Sequence, residues 1–262
     1  KGSKTMIRGL YTSGWSMLAL NKKMDVLANN LANVSTNGYK KDTVVLEGFP
    51  KLLAQRLYDN TDKIAGGVPV GDLSFSNDVG EVYTYFQQGA LLKTDNPLDI
   101  SIKDEGNAFF CVAVPEEDTF REFYTRDGSF NLNSNGQLIT NQGYFVLGEN
   151  GVIQLSGDNF LVDDDGIITQ NGQTVDKLLI KQFEDPHTLV KSGENLLSPT
   201  EASVEEGFSG RIIQNFLEQS NVDSVREMVD MISLMRSYEA NQRVITAMDG
   251  TLDKAVNEVG RV

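Results

Sequence analysis

The chain has one cysteine, one histidine and one tryptophan in 262 residues, and only 6 prolines. A lone Cys111 permits no intrachain disulfide, and with His187 it cannot complete the usual nitrogen and sulfur ligand set of a zinc site. No apolar run approaches the ~18–20 residues that cross a bilayer, and the first residues lack the uninterrupted apolar stretch of a secretory signal. Basic residues are scarce as well: 23 Lys and Arg stand against 37 Asp and Glu, a net charge of −14. Phosphate backbones and anionic membrane surfaces repel so acidic a chain. Nucleic-acid binding, membrane insertion, disulfide scaffolds and ordinary zinc catalysis are thereby disfavoured, and no cofactor or metal is expected. What is present, 40% hydrophobic residues with 8% aromatics, suffices for a buried core in one or two domains. Lys1 to Thr5 precede Met6 and read as an addition ahead of the natural start, so they carry no weight in the fold reasoning.

Charge divides the chain into three parts. Residues 1–41 hold seven basic residues and one acidic, 211–262 hold six and eight, and the remaining 28 carboxylates and 10 basic residues leave the middle at −18. A middle of that charge reads as a strongly solvated body between two ends of different character.

Both ends carry helical periodicity. Ile7, Leu10, Gly14, Met17, Asn21, Met24, Ala28 and Leu31 recur at alternating spacings of 3 and 4, an amphipathic stripe too poor in large residues to be a strong isolated core. Asn33 and Ser35-Thr36-Asn37-Gly38 then supply turn chemistry, so the helix should stop near Val34. Near the other end Val225, Met228, Ile232, Met235, Tyr238, Asn241, Ile245, Met248, Leu252, Ala255 and Val259 form a second stripe. A helix from Val222 to Val259 would span on the order of 55 Å at ~1.5 Å per residue, more than a compact domain needs. Ser220-Asn221 offers N-cap chemistry, and Glu227 and Asp230 favour the helix dipole. Two such helices bracketing an acidic centre predict a discontinuous coiled-coil hairpin with seams open to further copies.

Between them the punctuation is Asx-Gly: Asp127-Gly128, Asn135-Gly136, Asn150-Gly151, Asp165-Gly166 and Asn171-Gly172. Such pairs supply the positive φ of tight hairpins. They separate short β-type runs at 109–114, 137–140, 144–147, 152–155 and 177–183, which predict antiparallel strands in a small sandwich or rolled sheet. The fold class is therefore α+β. Its expected division is a helical assembly domain of 6–41 and 214–262, a connecting arm at 42–75 and a β-rich outer domain at 76–213.

Catalytic signatures are absent. Asp163-Asp164-Asp165-Gly166 is followed directly by Ile167 and Ile168 rather than by calcium-loop ligands, so an acidic hairpin turn is expected. Gly66 to Gly71 lacks the Lys-Ser/Thr ending of a phosphate loop, and no Gly-x-Ser-x-Gly elbow occurs. His187 follows Pro186 in a polar loop, and Cys111 sits in an apolar run where a thiol behaves as a small buried hydrophobe.

The stretch Leu27-Ala28-Asn29-Asn30-Leu31-Ala32-Asn33-Val34-Ser35-Thr36-Asn37-Gly38-Tyr39-Lys40 closely resembles the N-terminal signature of the bacterial flagellar hook and basal-body rod family. Asn96-Pro97-Leu98-Asp99, Tyr124-Thr125-Arg126-Asp127-Gly128-Ser129-Phe130, Gly193-Glu194-Asn195-Leu196, Ser220-Asn221-Val222 and Arg236-Ser237-Tyr238-Glu239-Ala240-Asn241 continue it in the family's order. Trp15, the loop 103–108 and residues 49–75 depart from its pattern. The resemblance implies a non-enzymatic subunit of the basal body, outside the cytoplasmic membrane. Such a subunit leaves the cytoplasm through the flagellar type III export apparatus without a cleaved signal. It polymerises with copies of itself into a helical tube and meets neighbouring rod and hook proteins. The length suits a rod member, the distal type ahead of the proximal, because hook members carry a further outer domain. By the same resemblance Asn29, Asn30, Leu31, Asn33, Gly38 and Tyr39 would close the first inner helix, and Asn221, Tyr238, Glu239 and Asn241 would sit on the second. Ile7, Leu10, Met17, Met24 and Leu31 are expected to pack against Met228, Ile232, Met235, Ile245 and Leu252 of the same or neighbouring subunits. The rival from another class is a secreted β-rich binding module on a coiled-coil oligomerisation stalk, and a carboxylate-based glycan hydrolase is third.

Overall fold

A computed structural model of the chain describes residues 8–48, 52–56, 68–73, 77–104, 106–116, 119–157, 159–254 and 257. The class is α+β, with one long helix near each end and mainly antiparallel strands between. The first helix, α1, runs Arg8–Ala32 and the last, α2, runs Ser224–Lys254. Ile7, Ala255 and Val259 of the expected stripes lie outside the described residues. Beyond α1 the turn expected at Asn33 to Gly38 is closed by backbone bonds from Asn33 to Asn30, Val34 to Leu31 and Thr36 to Asn33.

The chain divides into two compact units, one of Lys1–Asn29, Asp42–Tyr83 and Val225–Val262 and one of Asn30–Lys41 and Thr84–Ser224. In the first, the strand Asp42–Gly48 pairs with Asn77–Thr84, and Leu52–Arg56 pairs antiparallel with Val68–Leu73. Strands therefore occupy part of the stretch where the sequence suggests an arm. Gly9 of α1 lies against the thioether of Met248 in α2, so close that a Cβ there would stand 2.1 Å from Met248 Cε. Ser13, Ala19 and Leu27 are buried on α1, and Glu227 and Leu234 on α2.

The second unit is built around the strand Ala108–Glu116. It forms a hairpin with Thr119–Thr125 along one edge, and along the other it pairs with Ile180–Phe183 near its start and Phe145–Gly148 further on. Alternation along this strand sends its side chains into two separate cores, so a run buried from Ala108 to Ala113 needs no polar face. Phe110 and Val112 join Ile100, Ile102, Phe130, Leu138, Val146, Ile153, Ile168 and Ile212. Phe109 and Cys111 join Phe86, Tyr124, Phe183, Leu189 and Leu197.

Asn135-Gly136, Asn150-Gly151, Asp165-Gly166 and Asn171-Gly172 sit at strand connections with positive φ at each glycine and at Asn171. Asp127-Gly128 is different and corrects the expectation of a hairpin turn. Gly128 passes so near the Ile100 carbonyl that a Cβ would lie 1.6 Å from its oxygen, and its own carbonyl accepts from Ile100 N–H. The glycine serves close backbone approach, while the Asp127 carboxylate accepts from Ser129 N–H and Oγ–H. The run expected at 177–183 also breaks at Leu178 and Leu179, between the strands Gln173–Lys177 and Ile180–Phe183.

Phe130 is 1% exposed and meets Phe110 edge-to-face at 5.2 Å between ring centroids. Phe130→Ala should cost roughly 3–5 kcal/mol by leaving a cavity and breaking that pair. Chemical denaturation reads this as a lowered midpoint at constant slope, and an unchanged midpoint contradicts the packing described.

Candidate functional site

The residues that gather in one place are those just after α1, those just before α2, and two loops of the β body. Glu218, at the end of the strand Phe216–Glu218, is fully buried, and its carboxylate accepts three hydrogen bonds. Lys40 Nζ donates to Oε1 at 2.6 Å, Gly89 N–H to the same oxygen at 2.9 Å, and Arg126 Nε to Oε2 at 2.9 Å. Arg126 also donates to the Ala108 carbonyl and, through Nη2, to Asp104 Oδ1 at 2.7 Å. Asp104 Oδ2 in turn accepts from Ala108 N–H at 2.8 Å, and Lys40 donates a second bond to the Gln87 carbonyl at 2.9 Å. Two cations and two carboxylates thus form a neutral cluster in which side-chain exposure is 6% or less.

Backbone geometry brings these groups together. Gly38, at φ +67°, donates its N–H to the Glu218 carbonyl at 2.7 Å, and its α-carbon runs against the Arg126–Asp127 peptide where a Cβ would clash at 2.4 Å. Only glycine meets both requirements. Tyr39 is buried beside it, with Lys191 Nζ 4.5 Å above its ring and its hydroxyl donating to Asn30 Oδ1 at 3.2 Å. Asn195 donates to the Asn37 carbonyl at 2.9 Å. Asn221 is used here rather than as the expected N-cap, since α2 begins three residues later. Its Oδ1 accepts from Lys41 N–H at 2.8 Å, and its Nδ2 donates to the carbonyls of Tyr85 and Gln87.

Of the residues singled out from sequence, Asn30, Gly38, Tyr39 and Asn221 therefore converge. Asn33 helps close the local turn, accepting from Thr36 Oγ1, and Asn29 is exposed. Leu10, Met17, Met24 and Leu31 are half-buried along α1. On α2, Met228, Ile232 and Met235 are 48%, 52% and 45% exposed, and Val225 and Val229 lie exposed on the same face. Glu239 is exposed beside Arg243, while Tyr238, Asn241, Ile245 and Leu252 are half-buried. Glu218 and Asp104 carried no local signal, because single carboxylates in an acidic chain look alike. Arg126 stood inside a quoted motif without a role.

Among the described residues the candidates for reactive chemistry serve structural ends. Asp163 to Gly166 is a hairpin turn closed from Gly166 N–H to the Asp163 carbonyl. His187 lies in the short 3-10 turn Pro186–Thr188 against Phe86, and burial pushes the Cys111 thiol well above its ordinary range. No group of three or more potential metal ligands occurs among the described residues. A cleft of about 530 Å³ is lined by polar groups including Lys103, Asp104, Asn107, Gln182, Ser209 and Arg211; Ser209 Oγ donates to Gln182 Oε1 at 3.3 Å, while Asp104 is engaged by Arg126. Among the described residues no helix is long and apolar enough to cross a membrane.

Comparison with known proteins gives this arrangement a context. Residues 10–40 match the family model for flagella basal body rod proteins, 105–185 that for the flagellar hook protein FlgE/F/G D1 domain, and 213–258 that for the flagellar basal body rod FlgEFG protein C-terminal region. The flagellar basal-body rod protein FlgG of Buchnera aphidicola subsp. Baizongia pistaciae is 36% identical, over 95% of this chain and 98% of the relative. The flagellar hook-basal body complex protein FlhO of Bacillus subtilis is 30% identical, over 98% of this chain and all of the relative. The chain belongs to the flagellar basal-body rod family. It is a FlgG-type structural subunit of the flagellar basal body, not an enzyme.

Removing one partner from a buried ion cluster strands the others. Glu218→Leu should cost roughly 3–5 kcal/mol, whereas Glu239→Ala on the exposed face of α2 should cost under about 0.5 kcal/mol. Thermal unfolding of the two variants checks the contrast, and equal losses would contradict it. Burial and the nearby Arg126 push Lys40 down to about 8 against the pull of Glu218. The folded chain then binds fewer protons than the unfolded one from about pH 8 to 10.5, so the Lys40 contribution to stability rises with pH across that window. Stability measured against Lys40→Met should accordingly increase between about pH 7.5 and 9.5, and a constant difference contradicts the assignment. At the acid end, Arg126 holds Asp104 below the ordinary carboxylate value although burial alone would raise it. The Asp104 contribution is complete above the ordinary value of 3.8 and disappears as the pH falls through the lower folded one.

Proposed function

We propose that the chain is the distal rod subunit, which polymerises helically through α1 and α2 and passes torque towards the hook through repeated contacts. The observation that carries this is the apolar face of α2, where Val225, Met228, Val229, Ile232 and Met235 all lie exposed in the single subunit. A contiguous apolar face of that kind on a soluble chain needs a covering surface. In a rod family the natural cover is the same pair of helices on neighbouring copies, arranged as a coiled-coil inner layer. The contact of Gly9 with Met248 supports an antiparallel approach of the two helices at that point. Each large side chain buried on assembly contributes roughly 1.5–3 kcal/mol, set against ordering and association costs. Open growth follows when the contact is head-to-tail and does not close. Neighbouring rod and hook proteins would meet the same surfaces at the two ends of the tube. The subunit would reach that position unfolded, through the flagellar type III export apparatus and without a cleaved signal, and a single cysteine leaves no disulfide to obstruct the passage.

Ile232→Asp tests the reading. Concentrated wild-type chain should give tubes of uniform diameter by electron microscopy, while the variant stays a monomer with the circular dichroism and unfolding transition of a folded β body. Wild-type tubes from the variant, or a discrete small oligomer from the unmodified chain at every concentration, contradict helical growth through α2.

A further inference from the structure

The chain passes between the two units at four places: 29/30, 41/42, 83/84 and 224/225. Within the second unit, the segments that begin or end at these crossings meet around one side chain. Asn221, three residues before the last crossing, accepts from Lys41 N–H and donates to the carbonyls of Tyr85 and Gln87. Its own N–H reaches the Tyr39 carbonyl at 3.4 Å, and Tyr39 in turn binds Asn30 through its hydroxyl. Tyr85 N–H closes the ring on the Lys41 carbonyl at 2.8 Å. Behind Asn221, the Glu218 carboxylate ties Lys40 and Gly89, and its carbonyl takes Gly38 N–H. Gly89 is packed so tightly on this segment that a Cβ would lie 2.0 Å from the Gln219 carbonyl oxygen.

We propose that Asn221, backed by Glu218, is a positioning residue that clamps all four crossings so that they open and close as one cooperative unit, and that rod assembly requires the clamp closed. One carboxamide can do this because it offers an acceptor and two donors at once, and its partners are backbone groups of two segments far apart in sequence, Lys41 on one side and Tyr85 and Gln87 on the other. The clamp itself follows from the second unit alone, and only its consequence for assembly rests on the function proposed above.

Amide hydrogen exchange on the full-length subunit, followed by electron microscopy of the same samples, tests it with two variants. Asn221→Ala frees Lys41 N–H directly, whereas Gly38 and Tyr85 donate to other acceptors. A local role would speed exchange at Lys41 alone. The clamp predicts that Gly38, Lys41 and Tyr85 accelerate together by about tenfold or more, while Phe110 and Val112 in the central strand stay as slow as in the wild type. Asn221→Asp keeps an oxygen for Lys41 but loses both donated bonds, so the clamp predicts that Lys41 accelerates with Tyr85 and Gly38 although its own acceptor remains, whereas independent bonds would leave Lys41 slow. Acceleration confined to Lys41 in the first variant, or equal acceleration of the central strand in both, overturns the clamp. Wild-type tube yield from a variant in which Gly38, Lys41 and Tyr85 all exchange fast overturns the role in assembly. Absence of tubes from the wild type would count against the rod reading and leaves the exchange result to decide the clamp by itself.

Discussion

Burying the Glu218 carboxylate between two cations is the constraint from which the second unit takes its form. A single buried ion costs several kcal/mol of lost hydration, and mutual attraction offsets that only when the geometry is close and every remaining donor and acceptor is used. Here the demand propagates. Lys40 and Arg126 approach Glu218, Arg126 requires Asp104 and the Ala108 carbonyl, and Asp104 requires Ala108 N–H. Each link fixes a different piece of chain, so the start of the central strand, the loop at 86–89 and the segments flanking both helices acquire one relative arrangement. An apolar cluster of equal volume could offer similar stability. What the ions add is direction, because Glu218 accepts at defined angles from donors that slippage would lose.

That arrangement suits a protein whose work is done by contacts. The β body holds two cores that share the strand Ala108–Glu116. The helices are the opposite case. α2 leaves Met228, Ile232 and Met235 about half exposed and buries Glu227, so as a lone element it is poorly served by its own apolar face. Under the function proposed above, neighbouring copies would cover that face, in keeping with the structural role of the family.

Much of this was legible in local patterns. The 3-and-4 spacing from Leu10 to Leu31 and from Val225 to Leu252 gave both helices, and Asx-Gly pairs at 135, 150, 165 and 171 gave the turns, because both signals depend only on near neighbours in sequence. The ionic cluster was not legible, for Lys40 and Glu218 are separated by 178 positions and each looks like any other surface charge. Asn221 and Asp127-Gly128 misled for a related reason. Their residue types suit an N-cap and a hairpin, yet tertiary neighbours claim them first. A cut at 41/42 and 213/214 would take Lys40 and Glu218 away from Arg126, although all three lie in the second unit.

The most direct test is sedimentation and thermal unfolding of a chain limited to residues 30–224, which keeps the whole ionic cluster and omits the helical face. The account predicts a monomer at every concentration that unfolds in one cooperative transition. An unfolded fragment would deny that the cluster completes the β body, and a fragment that still polymerised would deny that assembly runs through the terminal helices.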